Sequence, residues 1–134
     1  MRVVSLVPSL TLTLFDLGLD SSSIVGRTPW CIHPSEQVDD VPVVGGTKTP
    51  TLSKIKAAQP TLVVLDRDEN PKAVYEWCVE QGFPTFVCDV KHPNEVPAML
   101  RELASCINRE SRGEELALRV EAALSEVDKT VSRG

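Results

Sequence analysis

Thr61-Leu62-Val63-Val64-Leu65 is the stretch of sequence that decides the fold. A short, nearly continuous run of apolar and β-branched residues is typical of a parallel strand that is covered on both faces. Similar runs occupy residues 2–7 and 85–88, and residues 24–26 form a shorter one. Helical patterns lie between them. This alternation predicts an α/β domain with a parallel sheet of about four strands and helices on both of its faces.

Helical periodicity and turn residues place the helices between these strands. Ser9 and Thr51 are predicted to cap the first two helices. Pro71 begins the third, and Gly82 follows its end. The predicted helices cover residues 10–17, 52–58, 71–81 and 95–107.

The last segment, residues 111–131, has apolar residues at helical spacing and is not followed by a strand. At 1.5 Å per residue, such a helix is about 30 Å long. A single apolar stripe fits a connector to another body and also a terminal helix that folds back on the sheet. Both interpretations stay open at the level of the pattern.

Composition excludes several classes of protein. Lys and Arg number 14 against 19 Asp and Glu, and a net charge of −5 lacks the basic footprint of a nucleic-acid binder. The phosphate-binding P-loop, the dinucleotide fingerprint and the Cys-x-x-Cys motif are absent from the sequence. Cys78, Cys88 and Cys106 are predicted to be small buried residues. No secretion signal follows Met1, which indicates a cytoplasmic protein, or a periplasmic or cell-envelope protein whose signal was removed.

Ligands of parallel sheets bind beyond the carboxyl ends of the strands. Polar and aromatic residues concentrate in the loops that follow the predicted strands. The sequence therefore predicts a binding pocket there, with no catalytic residue and no metal site. The candidate ligand-binding residues are Trp30, Cys31, His33, Thr47, Lys48, Asp66 and Glu69.

The segment from Thr28 to Pro34 contains an indole, a thiol and an imidazole within four positions. Trp30 could stack on a flat ligand, or it could cover the end of the sheet. Cys31 and His33 carry donor atoms for a soft or borderline metal, but a closed structural site needs four ligands. An enzyme with Cys31 as its nucleophile ranks last, because side chains two positions apart in an extended loop point away from each other.

The other two loops also allow two interpretations. Asp66 and Glu69 form either a polar wall against a ligand or a solvated loop, in which Asn70 caps the next helix. Thr47 and Lys48 offer a hydroxyl and a cation to an anionic group, or they simply lead into a helix.

Several motifs resemble one known family. They are Val3-Val4-Ser5-Leu6-Val7-Pro8-Ser9-Leu10-Thr11, then Ile24-Val25-Gly26-Arg27-Thr28, then Val44-Gly45-Gly46-Thr47-Lys48-Thr49-Pro50 and residues 58–65. Their order and spacing resemble the periplasmic-binding-protein-like receptors with a helical backbone. These are the solute receptors of ABC importers for cobalamin, ferric siderophores and haem.

The resemblance implies a two-lobed, non-enzymatic receptor whose lobes are joined by one long helix. Residues 1–109 would be the N-terminal lobe, and residues 110–134 would begin the connecting helix. The implied ligand is a metal chelate such as a corrinoid, ferric siderophore or haem, with no resident cofactor. An ABC permease is the implied partner, although Ser53 stands where relatives carry the acidic residue that pairs with permease arginines.

A second hypothesis is a cytosolic α/β interaction or regulatory domain. Its C-terminal helix would expose Leu116, Val120, Leu124 and Val127 as an apolar stripe and form a homodimer through it.

Overall fold

The computed structural model describes residues 1–31 and 35–133 of the chain. Its strands pair in parallel in the order β2-β1-β3-β4, which confirms the predicted parallel sheet. The strands are β1 (Val3–Ser5), β2 (Ile24–Gly26), β3 (Leu62–Asp66) and β4 (Thr85–Cys88).

Helices connect and follow these strands. A single 3₁₀ turn, Pro93–Glu95, precedes the fifth helix. The helices are α1 (Pro8–Asp16), α2 (Ser35–Val38), α3 (Leu52–Ala58), α4 (Lys72–Gln81), α5 (Val96–Cys106) and α6 (Glu110–Arg133).

The chain divides into two compact units, of which the first is Met1–Asp89 and the second begins at Val90. The first unit contains the sheet. Alternate residues of its strands point to opposite faces. One face packs on α3 and α4 through a buried cluster of Val4, Leu6, Val63, Leu65, Ile55, Val74 and Cys78. On the other face, the Ser5 hydroxyl lies 2.8 Å from the Thr11 hydroxyl of α1. Helices therefore cover both faces of the sheet, as predicted.

The predicted cap of the first helix is wrong. Pro8 occupies the first turn of α1 and Val7 is its N-cap, so Ser9 lies inside the helix. Proline suits this position because its fixed φ is helical and its missing N–H would have no partner there. Helix α4 ends as predicted, with Gly82 in the left-handed conformation at φ 78°.

Helices α5 and α6 of the second unit pack closely against each other. A Cβ added to Gly113 of α6 would lie 2.2 Å from the Cβ of Ala104 in α5, so glycine allows this contact. Arg101 of α5 also binds Glu114 of α6, with its Nε 2.7 Å from Oε2. These hydrogen bonds raise the pKa of Arg101 and lower that of Glu114.

Two features of the second unit differ from expectations. Cys106 was expected to be buried, but it is exposed because it lies on the outer side of the last turn of α5, whereas Leu103 and Ile107 point inward. Leu116, Val120 and Leu124 are half-buried, so they do not form a free apolar stripe, and the side chain of Val127, the fourth residue of the predicted stripe, lies outside the described part of the chain. Within the described part of the chain, no helix combines the length and the apolar character needed to cross a bilayer.

Candidate functional site

The strand order changes direction at β1, because the chain continues to β2 on one side and to β3 on the other. Such a switch point leaves a crevice beyond the carboxyl ends of the two central strands, where α/β proteins bind their ligands. The loops that follow β1 and β3 meet at this edge, which we call the switch edge. The hydrogen bonds of Asn70 and of the turn at Thr28–Cys31 hold the switch edge together.

Asn70 connects three loops of the switch edge, and it is only 6% exposed. Its Nδ2 donates hydrogen bonds to the Leu6 carbonyl at 3.2 Å and to the Thr47 carbonyl at 2.9 Å. Its Oδ1 accepts the Asp66 N–H at 2.7 Å. The side chain therefore satisfies backbone groups that would otherwise be left without partners at the ends of β1 and β3.

The loop at residues 45–50 closes on itself before α3 begins. The Thr51 N–H donates to the Val44 carbonyl at 2.7 Å, and Gly45 pairs with Pro50. Gly45 has φ 113°, and a Cβ there would lie 2.5 Å from the Thr51 nitrogen, so only glycine fits this closure. The closed loop carries Thr47 and Lys48, and the Thr47 carbonyl is held by Asn70.

The charged loop after β3 is organised by Asp66. Its Oδ1 accepts the backbone N–H groups of Asp68 at 2.8 Å and Glu69 at 3.1 Å. The Lys48 ammonium donates to the Asp68 carbonyl at 3.1 Å and so connects the two loops. Lys48, Asp66 and Glu69, three of the candidate residues, are thus brought together.

The surroundings of Glu69 raise the pKa of its carboxyl group. Partial burial raises its pKa above the usual value, and the Asp66 carboxylate raises it further, whereas the Lys48 ammonium lowers it. The net effect favours the protonated acid relative to a free glutamate.

Trp30 lies at the tip of a tight turn after β2. The Cys31 N–H donates to the Thr28 carbonyl at 3.1 Å, which closes a four-residue turn with Pro29 and Trp30 at its centre. Proline suits the second position of such a turn because its φ is fixed. The indole is 68% exposed, so it neither covers the sheet end nor belongs to the core.

The Cys31 thiol anchors this turn to the first unit's interior. Cys31 is 1% exposed, and its Sγ lies 3.1 Å from the hydroxyl of Thr11 and 3.1 Å from that of Thr28. Since Thr11 also lies 2.8 Å from the Ser5 hydroxyl, the turn is tied to the end of β1. Cys31 is therefore a buried anchor of the turn, and its place among the ligand-binding residues stays a prediction.

An open groove of about 510 Å³ adjoins the switch edge on the side of β4. Arg67 crosses its rim and binds Asp89 with 3.0 Å between Nη1 and Oδ2, which links the loops after β3 and β4. Its wall is formed by Leu65, Asp66, Asn70, Lys72, Tyr75 and Val87.

Two residues of this region were not among the candidates. One of the two interpretations of its loop had Asn70 as the cap of α4, but Pro71 is the N-cap and the Asn70 amide binds the three loops instead. Arg27 was not considered, although its side chain binds the turn that carries Trp30. No local pattern indicates either role, because the partners include carbonyls distant in the sequence.

His33 lies outside the described residues. Over residues 1–31 and 35–133, no three potential metal ligands come together.

Comparison with known proteins gives consistent matches. A family model described as Periplasmic binding protein matches residues 3–134. The vitamin B12-binding protein of Pectobacterium atrosepticum is 25% identical over 126 residues, which are 94% of this chain and 44% of that protein. The corresponding protein of Pectobacterium carotovorum subsp. carotovorum is 27% identical over 116 residues, 87% of this chain and 41% of the relative. The chain thus spans less than half the length of these curated relatives.

Solved structures match the fold over nearly the whole chain. The periplasmic vitamin B12 binding protein BtuF of Vibrio cholerae superposes with a TM-score of 0.87 and 19% identity, over 98% of this chain and 51% of that one. The periplasmic heme-binding protein RhuT from Roseiflexus sp. RS-1 gives a TM-score of 0.81 and 26% identity, over 99% and 51%.

These matches confirm the predicted fold, the parallel α/β architecture of one lobe of a two-lobed protein. The matched proteins bind substrates and are not enzymes, as the sequence resemblance implied. The match extends through the sheet, the switch edge and the final helix. The chain belongs to the periplasmic binding protein family.

Proposed function

We propose that this chain is the N-terminal lobe of a solute receptor for a metal chelate, such as a cobalamin, ferric siderophore or haem, that serves ABC-type import. The observation that carries the proposal is the exposed indole of Trp30, presented on a closed turn that is anchored to the end of β1. The names of the relatives, which include vitamin B12-binding and heme-binding proteins, support this ligand class.

Trp30 has the properties needed for a flat, wide ligand. An indole offers a large apolar face that stacks on a planar macrocycle. Because tryptophan has only two side-chain torsions, it loses little conformational entropy on binding. Lys48, Asp66 and Glu69 form a polar group at the switch edge that suits the amide or carboxylate groups at the edge of such a chelate.

The chain supplies only part of the proposed binding cleft. It spans less than half the length of its curated relatives, and we assign residues 1–109 to the lobe and residues 110–134 to the start of the inter-lobe helix. A single lobe buries one face of a large ligand, whereas tight sites bury most of the ligand surface. The isolated chain should therefore bind the chelate weakly.

The proposed link to an ABC permease needs a docking surface other than the first turn of α3. Ser53 and Lys54 are exposed there, and Lys56 follows one turn later. Helix α3 contains no acidic residue, so it cannot supply the carboxylate that pairs with permease arginines in the related receptors.

Isothermal titration calorimetry of the full chain with cyanocobalamin tests the proposed function. Light scattering first establishes that the chain is monomeric. We expect binding weaker than micromolar, and we expect Trp30→Ala to raise the Kd about tenfold, since aromatic stacking and the buried area of an indole contribute on the order of 1–2 kcal/mol.

Trp77→Phe is the matched control, because Trp77 packs on Phe83 with ring centroids 5.7 Å apart inside the first unit. Hemin and metal-free protoporphyrin are titrated in parallel to separate stacking from metal ligation. A Kd that Trp30→Ala leaves unchanged for all three compounds would contradict the proposed site. Submicromolar binding by a proven monomer would contradict the inference that the chain supplies only part of the cleft.

A further inference from the structure

Arg27 is the residue whose side chain holds the turn that carries Trp30. Its Nη1 lies 3.3 Å from the Thr28 carbonyl and 3.3 Å from the Cys31 carbonyl, the first and last residues of that turn. Its Nε donates to the Val41 carbonyl at 2.9 Å. The guanidinium thus connects both ends of the turn to the segment that runs beside β2.

These contacts act in addition to two others that hold the turn. The Cys31 N–H closes the turn from within, and the Cys31 thiol holds it from the side of α1. Without the guanidinium, the carbonyls of Thr28 and Cys31 would lose a shared donor, so we expect the turn to be held less firmly.

We propose that Arg27 is a positioning residue that fixes the backbone of the turn that carries Trp30, so that the Trp30 side chain already extends from the turn in one direction when a flat ligand arrives. The proposal rests on the function proposed above, in which Trp30 contacts the ligand. A turn that is ordered before binding loses less conformational entropy on binding, and this improves affinity without a new contact.

Arginine suits this role better than lysine. The guanidinium is planar, permanently charged and carries five N–H donors in a fixed fork, so one side chain can bind three carbonyls in different directions. A lysine ammonium is a compact charge on a flexible stem, and its geometry does not hold two ends of a turn at once. Arg27→Lys therefore keeps the charge and removes the clamp.

The first arm of the test uses no ligand. The chain contains two tryptophans, so the ¹⁵N-labelled protein gives two indole Nε1–H signals, from Trp30 and from Trp77. The heteronuclear NOE of the Trp30 indole includes the motion of the turn that carries the ring, so it should be highest in the wild-type chain. It should fall clearly in Arg27→Gln and Arg27→Lys, while the Trp77 signal stays unchanged as an internal control.

The second arm is a double-mutant cycle with cyanocobalamin as the probe. We expect Arg27→Gln to raise the Kd about three- to tenfold in the chain that has Trp30. The same change should have no effect in the Trp30→Ala background, because the residue through which Arg27 acts is then absent. Arg109→Gln, in the exposed link between α5 and α6, is the matched control and should leave both quantities unchanged.

The two arms separate the inference from the proposed function. An unchanged Trp30 NOE in both Arg27 variants, or an equal loss of affinity with and without Trp30, would overturn the positioning role. If Trp30→Ala itself has no effect on affinity, the proposed function fails, and the NOE arm alone decides whether Arg27 orders the indole. Should Arg27→Gln fail to fold, Arg27→Lys carries both arms.

Discussion

Asn70→Ala tests whether one buried amide holds the switch edge together. The change removes two hydrogen bonds to the carbonyls of Leu6 and Thr47 and one from the Asp66 N–H. A hydrogen bond contributes about 1 kcal/mol net, and a buried polar group left without a partner costs more. We therefore expect the free energy of unfolding of the first unit to fall by about 3 kcal/mol.

Urea denaturation followed by tryptophan fluorescence measures this loss. Trp30 and Trp77 both lie in the first unit, so the signal reports the unfolding of that unit. With a urea dependence of about 1–3 kcal/mol per molar, the midpoint should fall by about 1–3 M. Gln81→Ala, at an exposed position of α4 in the same unit, is the control and should change stability by less than about 0.5 kcal/mol.

Asn70→Asp refines the same test, since it keeps the shape of the side chain. Its carboxylate can still accept the Asp66 N–H, but it repels the carbonyls of Leu6 and Thr47 to which the amide donated. We expect a loss of stability at neutral pH comparable to that of Asn70→Ala, with partial recovery when the new carboxyl is protonated. The reasoning is refuted if Asn70→Ala behaves like Gln81→Ala.

Three further predictions follow from the packing and the ionisation of named residues. Gly113→Ala should lower the thermal stability measured by circular dichroism, with a net loss of about 1 kcal/mol after the gain in helix propensity. The double variant Ala104→Gly with Gly113→Ala should recover this loss, because it restores the space for a methyl group between α5 and α6. A Gly113→Ala variant as stable as wild type would refute the close contact. Because folding raises the pKa of Glu69, its contribution to stability is present below the pKa of a free glutamate and is lost as the pH rises through the folded-state pKa. Glu69→Gln should therefore gain stability relative to wild type as the pH rises from acidic to neutral in urea denaturation, and a difference that stays constant with pH would contradict this. Burial raises the pKa of Cys78 to about 11, so iodoacetamide at pH 8 should label it only after urea is added, and rapid labelling of the native chain, detected by mass spectrometry, would be inconsistent with its burial.

Much of the fold could be predicted from local pattern. The apolar runs around Val3 and Leu62 became the two central strands, because such parallel strands are buried on both faces. The run at Thr85 became the edge strand β4, and its Val87 is exposed, contrary to the predicted burial on both faces. Pro71 and Gly82 placed the ends of α4 to within a residue, since proline and glycine restrict or release the backbone wherever they occur.

Local pattern was insufficient at three places in the chain. Ser9 is a good N-cap and Pro8 a good first helical residue, and the helix began at the proline. The short helix α2 has too few residues for a periodic pattern, so it was not predicted. Cys106 was expected inside the protein from its residue type, but its exposure depends on which side of α5 faces α6.

The sequence by itself determined that polar and aromatic residues would follow the strands, and parallel topology then placed their loops at one edge of the sheet. Tertiary structure alone decided how those loops are held. The Asn70 amide binds a carbonyl 64 residues away, and Arg27 binds one 14 residues away. The physical reason is that backbone carbonyls are identical at every position, so only the folded arrangement selects which of them a side chain will bind.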